Sequence, residues 1–242
     1  MPASLGVSAV ASNASATVVT TPDRTTTSGS TIVLMGTFGA QTFVSFSDDL
    51  SNAWTQVQTE LGTSPKTRMY YSENITGGIG HNFSMTIGSA GTPSIWMVEI
   101  LGAKLTGVLD QSASQADVSS PFTSPLITTT ENNEFFVAFI GGDSTNTPAV
   151  HTAGNGFTLL DEVTNGAGFW VGATAYRNNI ATGDYSASFT QSGTGNGRVW
   201  IASFKSGDSA YSLPIDSGAY ALTGADMTTT FVGPQLALRW TR

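Results

Sequence analysis

The sequence repeats the same landmarks in the same order after slightly more than a hundred residues, and this internal repeat constrains the fold more than any other feature. Trp96 lies in an apolar run, and Trp200 lies in a similar run 104 residues later. Tyr71 is matched by Tyr176 at a spacing of 105 residues. The remaining matched pairs are Trp54-Thr55 with Phe157-Thr158 and Asn74-Ile75 with Asn179-Ile180. Two copies of one architecture are predicted, and the alternative is chance similarity between segments of similar composition.

Strand-like alternation runs through both copies. Apolar residues occupy every second position in 83–87 and again in 185–189, which is the period of a half-buried β-strand. Glycine-rich segments such as Gly77-Gly78 and 193–197 separate these runs at the spacing of strand-connecting turns. Only 11% of the residues are charged, and no segment has a convincing apolar stripe at the helical period. The predicted fold class is all-β: an antiparallel, jelly-roll-like β-sandwich with an internal duplication and about six short strands in each half.

The repeat also predicts the domain organisation. Residues 1–206 are predicted to form the duplicated sandwich, with half-repeats at about 31–103 and 134–206. Residues 104–133 are polar and contain two prolines, so they are predicted to be an extended linker on the surface. Composition changes after the second copy, and 207–242 has no counterpart in the first copy. This last segment is predicted to be a short, β-rich C-terminal tail.

Cysteine content and charge exclude several classes of function. The chain has no cysteine, which rules out disulfides, thiolate metal sites and cysteine nucleophiles. Nine Lys and Arg residues against 17 Asp and Glu residues give a net charge of −8, so no direct nucleic-acid partner is expected. No segment is apolar over the roughly 20 residues that a membrane-spanning helix needs, so no membrane partner is expected. The first residues lack a basic segment followed by an apolar run, so a signal peptide is not expected either.

Residues suited to catalysis are few. The chain contains two histidines, and the repeat aligns His81 with Tyr185, at a strand position. His151 lies in a turn-flanked stretch, and no Gly-x-Ser-x-Gly nucleophile motif occurs in the chain. The carboxyl doublets Asp48-Asp49 and Asp161-Glu162 consist of adjacent residues, whose side chains point to opposite faces of a strand. The sequence therefore predicts a protein that is not an enzyme, has no catalytic residues and takes no cofactor.

Two oxygen-rich loops are the best candidates for a metal site. Segments 47–52 and 143–146 contain Asp and Asn residues of the kind that bind Ca²⁺ between the loops of a β-sandwich. Neither segment has the alternating Asp-x-Asn-x-Asp spacing of a calcium-binding loop. Because loops of this composition are common without a metal, no metal ligand is predicted.

The tryptophans suggest a different ligand, a glycan. Trp96 and Trp200 occupy apolar strands at equivalent places in the repeat and are predicted to be core residues. Trp170 and Trp240 are not assigned to the core by the repeat, and with Trp54 they complete the set of tryptophans. A platform on which a sugar ring stacks needs several aromatic side chains exposed along one groove. A glycan therefore stays an alternative ligand.

One succession of features extends along most of the chain. It consists of an apolar strand, a polar loop with Trp54-Thr55, the Tyr70-Tyr71 strand, a Gly-rich turn, the Trp96 strand, Val108-Leu109-Asp110-Gln111 and a second similar half. This order resembles a duplicated β-sandwich domain found in tailed-bacteriophage virion proteins and in some bacterial surface proteins. The likeness covers about residues 5–206, and segment 217–226 is similar to short Tyr-x-Leu-Thr-Gly segments near the ends of phage structural proteins.

The resemblance implies a non-enzymatic structural protein of the virion, either a head decoration protein or an accessory component of the capsid or of a spike. It implies assembly in the host cytoplasm, other capsid or tail proteins as partners, and a homo-oligomeric state. The alternative is a glycan-binding adhesin or a receptor-binding module of a tail or fibre.

The C-terminal tail is rich in apolar side chains for its length, which predicts that another surface covers it. Alternation in 220–222 and 236–240 indicates short strands, and isolated strands are only marginally stable. These strands are predicted to pair with a neighbouring subunit or another virion protein, and the alternative is packing against the tail's own sandwich. The predicted assembly contacts are Tyr211, Tyr220, Leu222, Phe231, Leu236 and Trp240.

Overall fold

The fold is built from β-strands. A computed structural model describes residues 2–59, 62–144, 148–164 and 170–207, and the regular elements in these ranges are all strands. The all-β, sandwich-type class predicted from the sequence is confirmed. Within the same ranges there is no helix of the length and apolarity needed to cross a membrane.

The first half contains two sheets. Its strands are β1 (Ser4–Ser12), β2 (Ala16–Thr20), β3 (Thr31–Phe38), β4 (Phe43–Asp48), β5 (Thr55–Gln56), β6 (Lys66–Ser72), β7 (Phe83–Gly91) and β8 (Ser94–Leu101). The larger sheet has the order β1-β8-β3-β6-β5 and the smaller sheet β2-β7-β4, with antiparallel pairing throughout. Apart from β5 and β6, successive strands alternate between the two sheets. This is the connectivity of a jelly roll.

The second half has the same strand order. Its strands are β9 (Leu109–Val118), β10 (Phe122–Thr123), β11 (Ile127–Thr128), β12 (Glu134–Gly142), β13 (His151–Gly154), β14 (Thr158–Val163), β15 (Val171–Ile180), β16 (Asp184–Tyr185), β17 (Ser188–Gln191) and β18 (Gly197–Phe204). The larger sheet is β9-β18-β12-β15-β14 and the smaller is β10-β17-β13. The short β11-β16 pair corresponds to a single bridge between Arg24 and His81 in the first half. Strand for strand, the two halves have one architecture.

The larger sheets of the two halves pack face to face, which explains why their central strands are buried at every position. Val33 and Met35 of β3 belong to the core between the halves. Ile32 and Leu34 of the same strand belong to the core between the larger and smaller sheets of the first half. A strand covered on both faces favours a continuous apolar run over alternation. The described strands of the two halves therefore stack in four sheet layers, with the two larger sheets inside.

Trp96 and Trp200 are buried at this central interface, as predicted. The ring centroids of Trp96 and Phe139 lie 5.0 Å apart, which joins β8 of the first half to β12 of the second. Trp200 Nε1 donates a hydrogen bond of 2.9 Å to Thr67 Oγ1, which joins β18 to β6. Each half therefore places an indole against the other half.

The two halves differ in side-chain volume where they meet. Thr37 pairs with Thr67 in the first half, and Gly141 pairs with Gly172 at the corresponding place in the second. A Cβ atom on Gly141 would lie 2.7 Å from Thr67 Cγ2, and one on Gly172 would lie 3.0 Å from the ring of Trp96. The glycines of one half thus leave space for the threonine and indole groups of the other.

The repeating unit is longer than the sequence landmarks indicated. The predicted linker, 104–133, contains β9, β10 and β11. β9 is an edge of the second larger sheet, and β1 holds the equivalent edge in the first, so each copy begins well before its predicted start. Edge strands tolerate polar residues on their partly solvated side, which is why the Ser-rich β9 looked like a connection. In the described ranges each half has at least eight strands instead of about six.

Candidate functional site

The smaller sheet of the first half has a flat, uncharged outer side. Val19, Phe46 and Met85 are buried between this sheet and the larger one. Because side chains alternate along a strand, the intervening positions point outward. We call this set the first outer face: Val18 and Thr20 of β2, Ser45 and Ser47 of β4, and Ser84 and Thr86 of β7. One pair of its hydroxyls is hydrogen-bonded across strands, with Thr20 Oγ1 and Ser84 Oγ 2.8 Å apart.

The smaller sheet of the second half has an equivalent outer side. Phe122 and Phe189 pair on the buried side of this sheet. The residues next to them in each strand point outward. We call these the second outer face: Thr123 of β10, Thr152 and Gly154 of β13, and Ser188 and Thr190 of β17.

Neither outer face contains a charged residue, in a chain whose net charge is −8. The centres of protein–protein interfaces are depleted of charged residues, because a charge that loses its water there must find a partner. The side chains of both faces are short, so no long side chain projects from either set of positions. This chemistry suits contact with another protein surface.

His81 lies in a buried polar cluster with both carboxylates of the Asp48-Asp49 doublet. Its Nε2 is 3.7 Å from Asp48 Oδ2 and 3.8 Å from Asp49 Oδ1. Its Nδ1 is hydrogen-bonded to Thr26 Oγ1 at 2.7 Å. The expectation that the doublet diverges is wrong here, because Asp48 is the last residue of β4 and the regular alternation ends with it. The strand position predicted for His81 matches its bridge to Arg24.

His151 lies in a second buried polar group. Its Nδ1 is 3.2 Å from Glu162 Oε2, and its Nε2 is 3.1 Å from Gln191 Oε1. Gln191 Nε2 in turn donates to the carbonyl oxygen of Asp143 at 2.9 Å. Burial lowers the pKa of His151 below its ordinary value, and the contacts with Glu162 and Gln191 oppose that shift. The arrangement ties β13 to its neighbours and fits a structural histidine.

A carboxyl–lysine cluster lies at the end of the second half, and the sequence alone did not reveal it. Lys205 Nζ is 3.2 Å from Asp110 Oδ1 and 3.6 Å from Glu131 Oε1. Lys104 Nζ also reaches Glu131 Oε1, at 2.8 Å. Asp110 accepts hydrogen bonds from the backbone N–H and the hydroxyl of Thr130. These residues are far apart in the chain, so no local spacing could have indicated the cluster.

Glu134 completes this cluster from β12. Its side chain is buried, Oε1 accepts a hydrogen bond of 3.1 Å from the backbone N–H of Glu131, and the carboxyl group also contacts the Ser203 hydroxyl and the Asp110 carboxyl group. The pKa of Glu134 is raised to about 7, mainly by burial and also by the neighbouring Asp110 carboxylate, while hydrogen bonds from Ser203 and the Glu131 backbone oppose the shift. Burial by itself would raise the pKa of Asp110. Hydrogen bonds from Thr130 and the contact with Lys205 outweigh it, so the pKa of Asp110 is lowered. The contact with Asp110 raises the pKa of Lys205.

The described aromatic side chains do not form an exposed platform. Trp96 and Trp200 are in the core, and Trp54 is half-buried with its ring 6.2 Å from that of Phe83. Trp170 is also half-buried. In the described ranges, the exposed large apolar side chains are all aliphatic, namely Val18, Val44, Ile79, Leu105, Leu126 and Val150. Trp240 lies outside the described residues.

The two oxygen-rich loops use their carboxylates within the protein. Asp48 Oδ1 accepts hydrogen bonds of 3.0 Å from the backbone N–H groups of Leu50 and Asn52, which closes the first loop. Asp143 Oδ1 accepts a hydrogen bond from the backbone N–H of Asn196, and 145–147 lie outside the described residues. Across the part of the chain that is described, no three His, Asp or Glu side chains are grouped so as to hold a metal ion.

The predicted assembly contacts of the tail lie outside the described residues. They are Tyr211, Tyr220, Leu222, Phe231, Leu236 and Trp240. The chain divides into a compact unit, Met1–Ser209, and a second unit, Ala210–Arg242. The assembly role of the tail therefore stays a prediction.

Comparison with known proteins returned no relative. No protein-family model, no curated protein and no solved structure matches the chain.

Proposed function

We propose that the chain is a structural protein of a tailed-phage particle, either a head decoration protein or an accessory component of the capsid or of a spike. The observation that carries the proposal is the pair of equivalent, uncharged outer faces on a doubly layered, face-to-face sandwich. The described tryptophans and both histidines are at least half-buried, so we assign them a role in packing and not in ligand binding. The outer faces of the smaller sheets stay accessible, and their chemistry is suited to contact with other proteins.

Architecture alone does not choose between particle assembly and glycan binding. Jelly rolls occur both in viral capsid domains and in lectins, and a fold does not dictate a function. Assembly is favoured because the described residues lack exposed aromatic side chains on which a sugar could stack. The similarity of 5–206 and 217–226 to virion proteins favours the same choice.

The proposed partners are other capsid or tail proteins and further copies of this chain, joined in the host cytoplasm. A stable protein interface buries about 800 Å² on each partner, which is more than a face of six short side chains offers. We therefore propose that the C-terminal tail contributes the rest of the contact. Strand addition to a neighbouring sheet would bury its apolar residues and pair its backbone groups.

The first test is protein mass spectrometry of phage particles purified on a density gradient from cells that express the chain. We expect the chain at a fixed copy number relative to the major capsid protein. Absence from the particles, together with retention of the pure protein on a glycan array, would replace the proposal with the adhesin alternative.

The second test is deletion of 207–242. We expect a soluble, folded monomer that is missing from particles. If the shortened protein aggregates, or if it melts far below the full chain measured as a monomer, the tail belongs to the core of the sandwich and its assembly role is refuted.

A third test addresses the outer faces. Thr86 lies on the central strand of the first outer face, so Thr86→Lys places a charge in the middle of the proposed contact. We expect reduced incorporation into particles with an unchanged melting temperature. The matched control is Thr106→Lys, at an exposed position away from both outer faces. Equal incorporation of the two variants would contradict the role of the first outer face.

A further inference from the structure

In the carboxyl–lysine cluster at the end of the second half, the Asp110 carboxylate is in contact with both the Lys205 amine and the Glu134 carboxyl group. Asp110 belongs to β9, the first strand of the second half, and Lys205 directly follows β18, its last strand. These two strands are hydrogen-bonded neighbours, with Leu109 opposite Phe204. Glu134 begins β12, the strand on the other side of β18. Three strands thus bring the three groups together.

We propose that Lys205 and Asp110 condense to an intramolecular amide bond, with Glu134 as the group that relays the protons. The Lys205 amine is 3.2 Å from Asp110 Oδ1, next to the carbon atom that it would attack. The Asp110 side chain is 2% exposed and the Lys205 side chain 22%, so the carboxyl carbon is largely shielded from bulk water. An amine held against a carboxyl group reacts as an intramolecular nucleophile, for which effective molarities of about 10⁵–10⁸ M are known.

The reaction balances within the cluster. The Lys205 ammonium first gives up a proton to an Asp110 carboxylate oxygen, a step that the ion pair opposes because the contact lowers the pKa of Asp110 and raises the pKa of Lys205. The neutral nitrogen then forms a bond to Cγ of Asp110. Glu134 donates its proton to the oxygen that departs and takes one from the attacking nitrogen. The C–O bond breaks, one water molecule leaves, and Glu134 ends in its starting state. No oxidant or other reactant is consumed.

Two features of the site favour this chemistry beyond proximity. Thr130 directs its backbone N–H and its hydroxyl at the Asp110 oxygens, where they would stabilise the negative charge that develops on the tetrahedral carbon's oxygen. Glu134 is buried, and its carboxyl group contacts the Asp110 carboxyl group directly. The pKa of Glu134, about 7, lets this group both give and accept a proton near neutral pH.

The first half provides an internal comparison. Gly6, Ser30 and Leu101 occupy the places that Asp110, Glu134 and Lys205 hold in the second half. The buried carboxylate there is Glu99, and it accepts hydrogen bonds from the Val7 and Thr27 backbone N–H groups and from the Ser30 hydroxyl. A carboxylate satisfied by neutral donors has no amine to react with. The proposed bond is therefore specific to the second half. It would join β9 and β18, the first and last strands of that half.

Intact-mass spectrometry of the full-length protein tests the proposal. We expect a mass lower than that of the sequence by one water molecule after incubation at neutral pH. Trypsin should then fail to cleave after Lys205, and the peptides 105–177 and 199–239 should be recovered as one joined species. The full sequence mass, with cleavage after Lys205, would overturn the proposal.

Variants of the cluster residues distinguish amide formation from any other reaction that removes a water molecule. Lys205→Arg keeps the positive charge but removes the amine, and Glu134→Gln keeps the shape but removes the proton relay, so both should show the full mass. Lys104→Arg is the matched control, because Lys104 contacts Glu131 in the same cluster, and it should stay linked. A loss of water that persists in Lys205→Arg would assign the dehydration to another reaction and refute the amide.

Discussion

The hydrogen bond between Trp200 and Thr67 offers a sharp test of how the two halves are held together. Trp200 Nε1 donates to Thr67 Oγ1 at 2.9 Å, and both residues are completely buried between the larger sheets. Thr67→Val replaces the hydroxyl with a methyl group of nearly the same size. The indole N–H then loses its acceptor in a place that water does not reach.

The expected cost is that of one buried, unsatisfied donor, about 1–3 kcal/mol in the free energy of unfolding. For a chain of this size that corresponds to a fall in melting temperature of about 2–4 °C for each kcal/mol. In a Trp200→Phe background the donor is already absent, so the same Thr67→Val change should cost less. The difference between the two backgrounds measures the coupling of the pair.

Thr31→Val is the matched control. Thr31 is also buried in the first larger sheet, but its Oγ1 has no hydrogen-bond partner. Replacing that hydroxyl with a methyl group removes an unsatisfied polar atom, so the free energy of unfolding should stay the same or rise. The same Thr→Val substitution is thus expected to lower the free energy of unfolding at position 67 and to leave it unchanged or raise it at position 31.

Equilibrium unfolding in urea, followed by tryptophan fluorescence, measures both variants in the full chain. The midpoint should fall for Thr67→Val and should not fall for Thr31→Val, with the slope unchanged. If the two variants lose equal stability, the hydrogen bond between the halves does not stabilise the fold as argued.

Three further predictions concern packing, pH and metal. Gly36→Ala should lower the free energy of unfolding by about 1–3 kcal/mol, because its Cβ would lie 2.3 Å from Met85 Sδ. Gly88→Ala is the control, since no atom lies closer than 3.5 Å to its Cβ, and thermal melts should show that it is tolerated. Burial lowers the pKa of His151 in the folded chain, so the unfolded chain binds the proton more readily and stability should fall as the pH drops below 6.5. His151→Gln should flatten that part of the stability profile, and a profile parallel to that of the unmodified chain would contradict it. Melting temperatures with and without a chelator should coincide, and a decrease that calcium reverses would reveal a metal site in 47–52 or 143–146.

The strand class was predictable because it depends on local patterns. Alternation in 83–87 corresponds to β7, where Phe83, Met85 and Ile87 are buried. The continuous apolar run 31–38 was recognisable as a strand by its length, and its burial on both faces explains the lack of alternation. The Ser-rich β9 was not recognised as part of the repeat, because an edge strand with a polar side has the composition of a surface connection.

The polar sites were not predictable, because they depend on where strands end and which strands become neighbours. Alternation correctly separates adjacent side chains inside a strand, but Asp48 closes β4 and both carboxylates of its doublet approach His81. Asp110 and Lys205 meet only because β9 and β18 are adjacent in the second larger sheet. The sequence distance between them carries no signal of that contact.

Periodicity and repeated landmarks are properties of the chain as written, so the strand class and the presence of one architecture twice could be predicted without a structure. The contact between the two larger sheets, with Trp200 against Thr67 and Trp96 beside Gly172, could not be predicted in this way. Both faces of each larger sheet are apolar, and the sequence does not indicate which face packs against the other copy. That choice depends on side-chain volumes fitting across residues about a hundred positions apart, which no local pattern encodes.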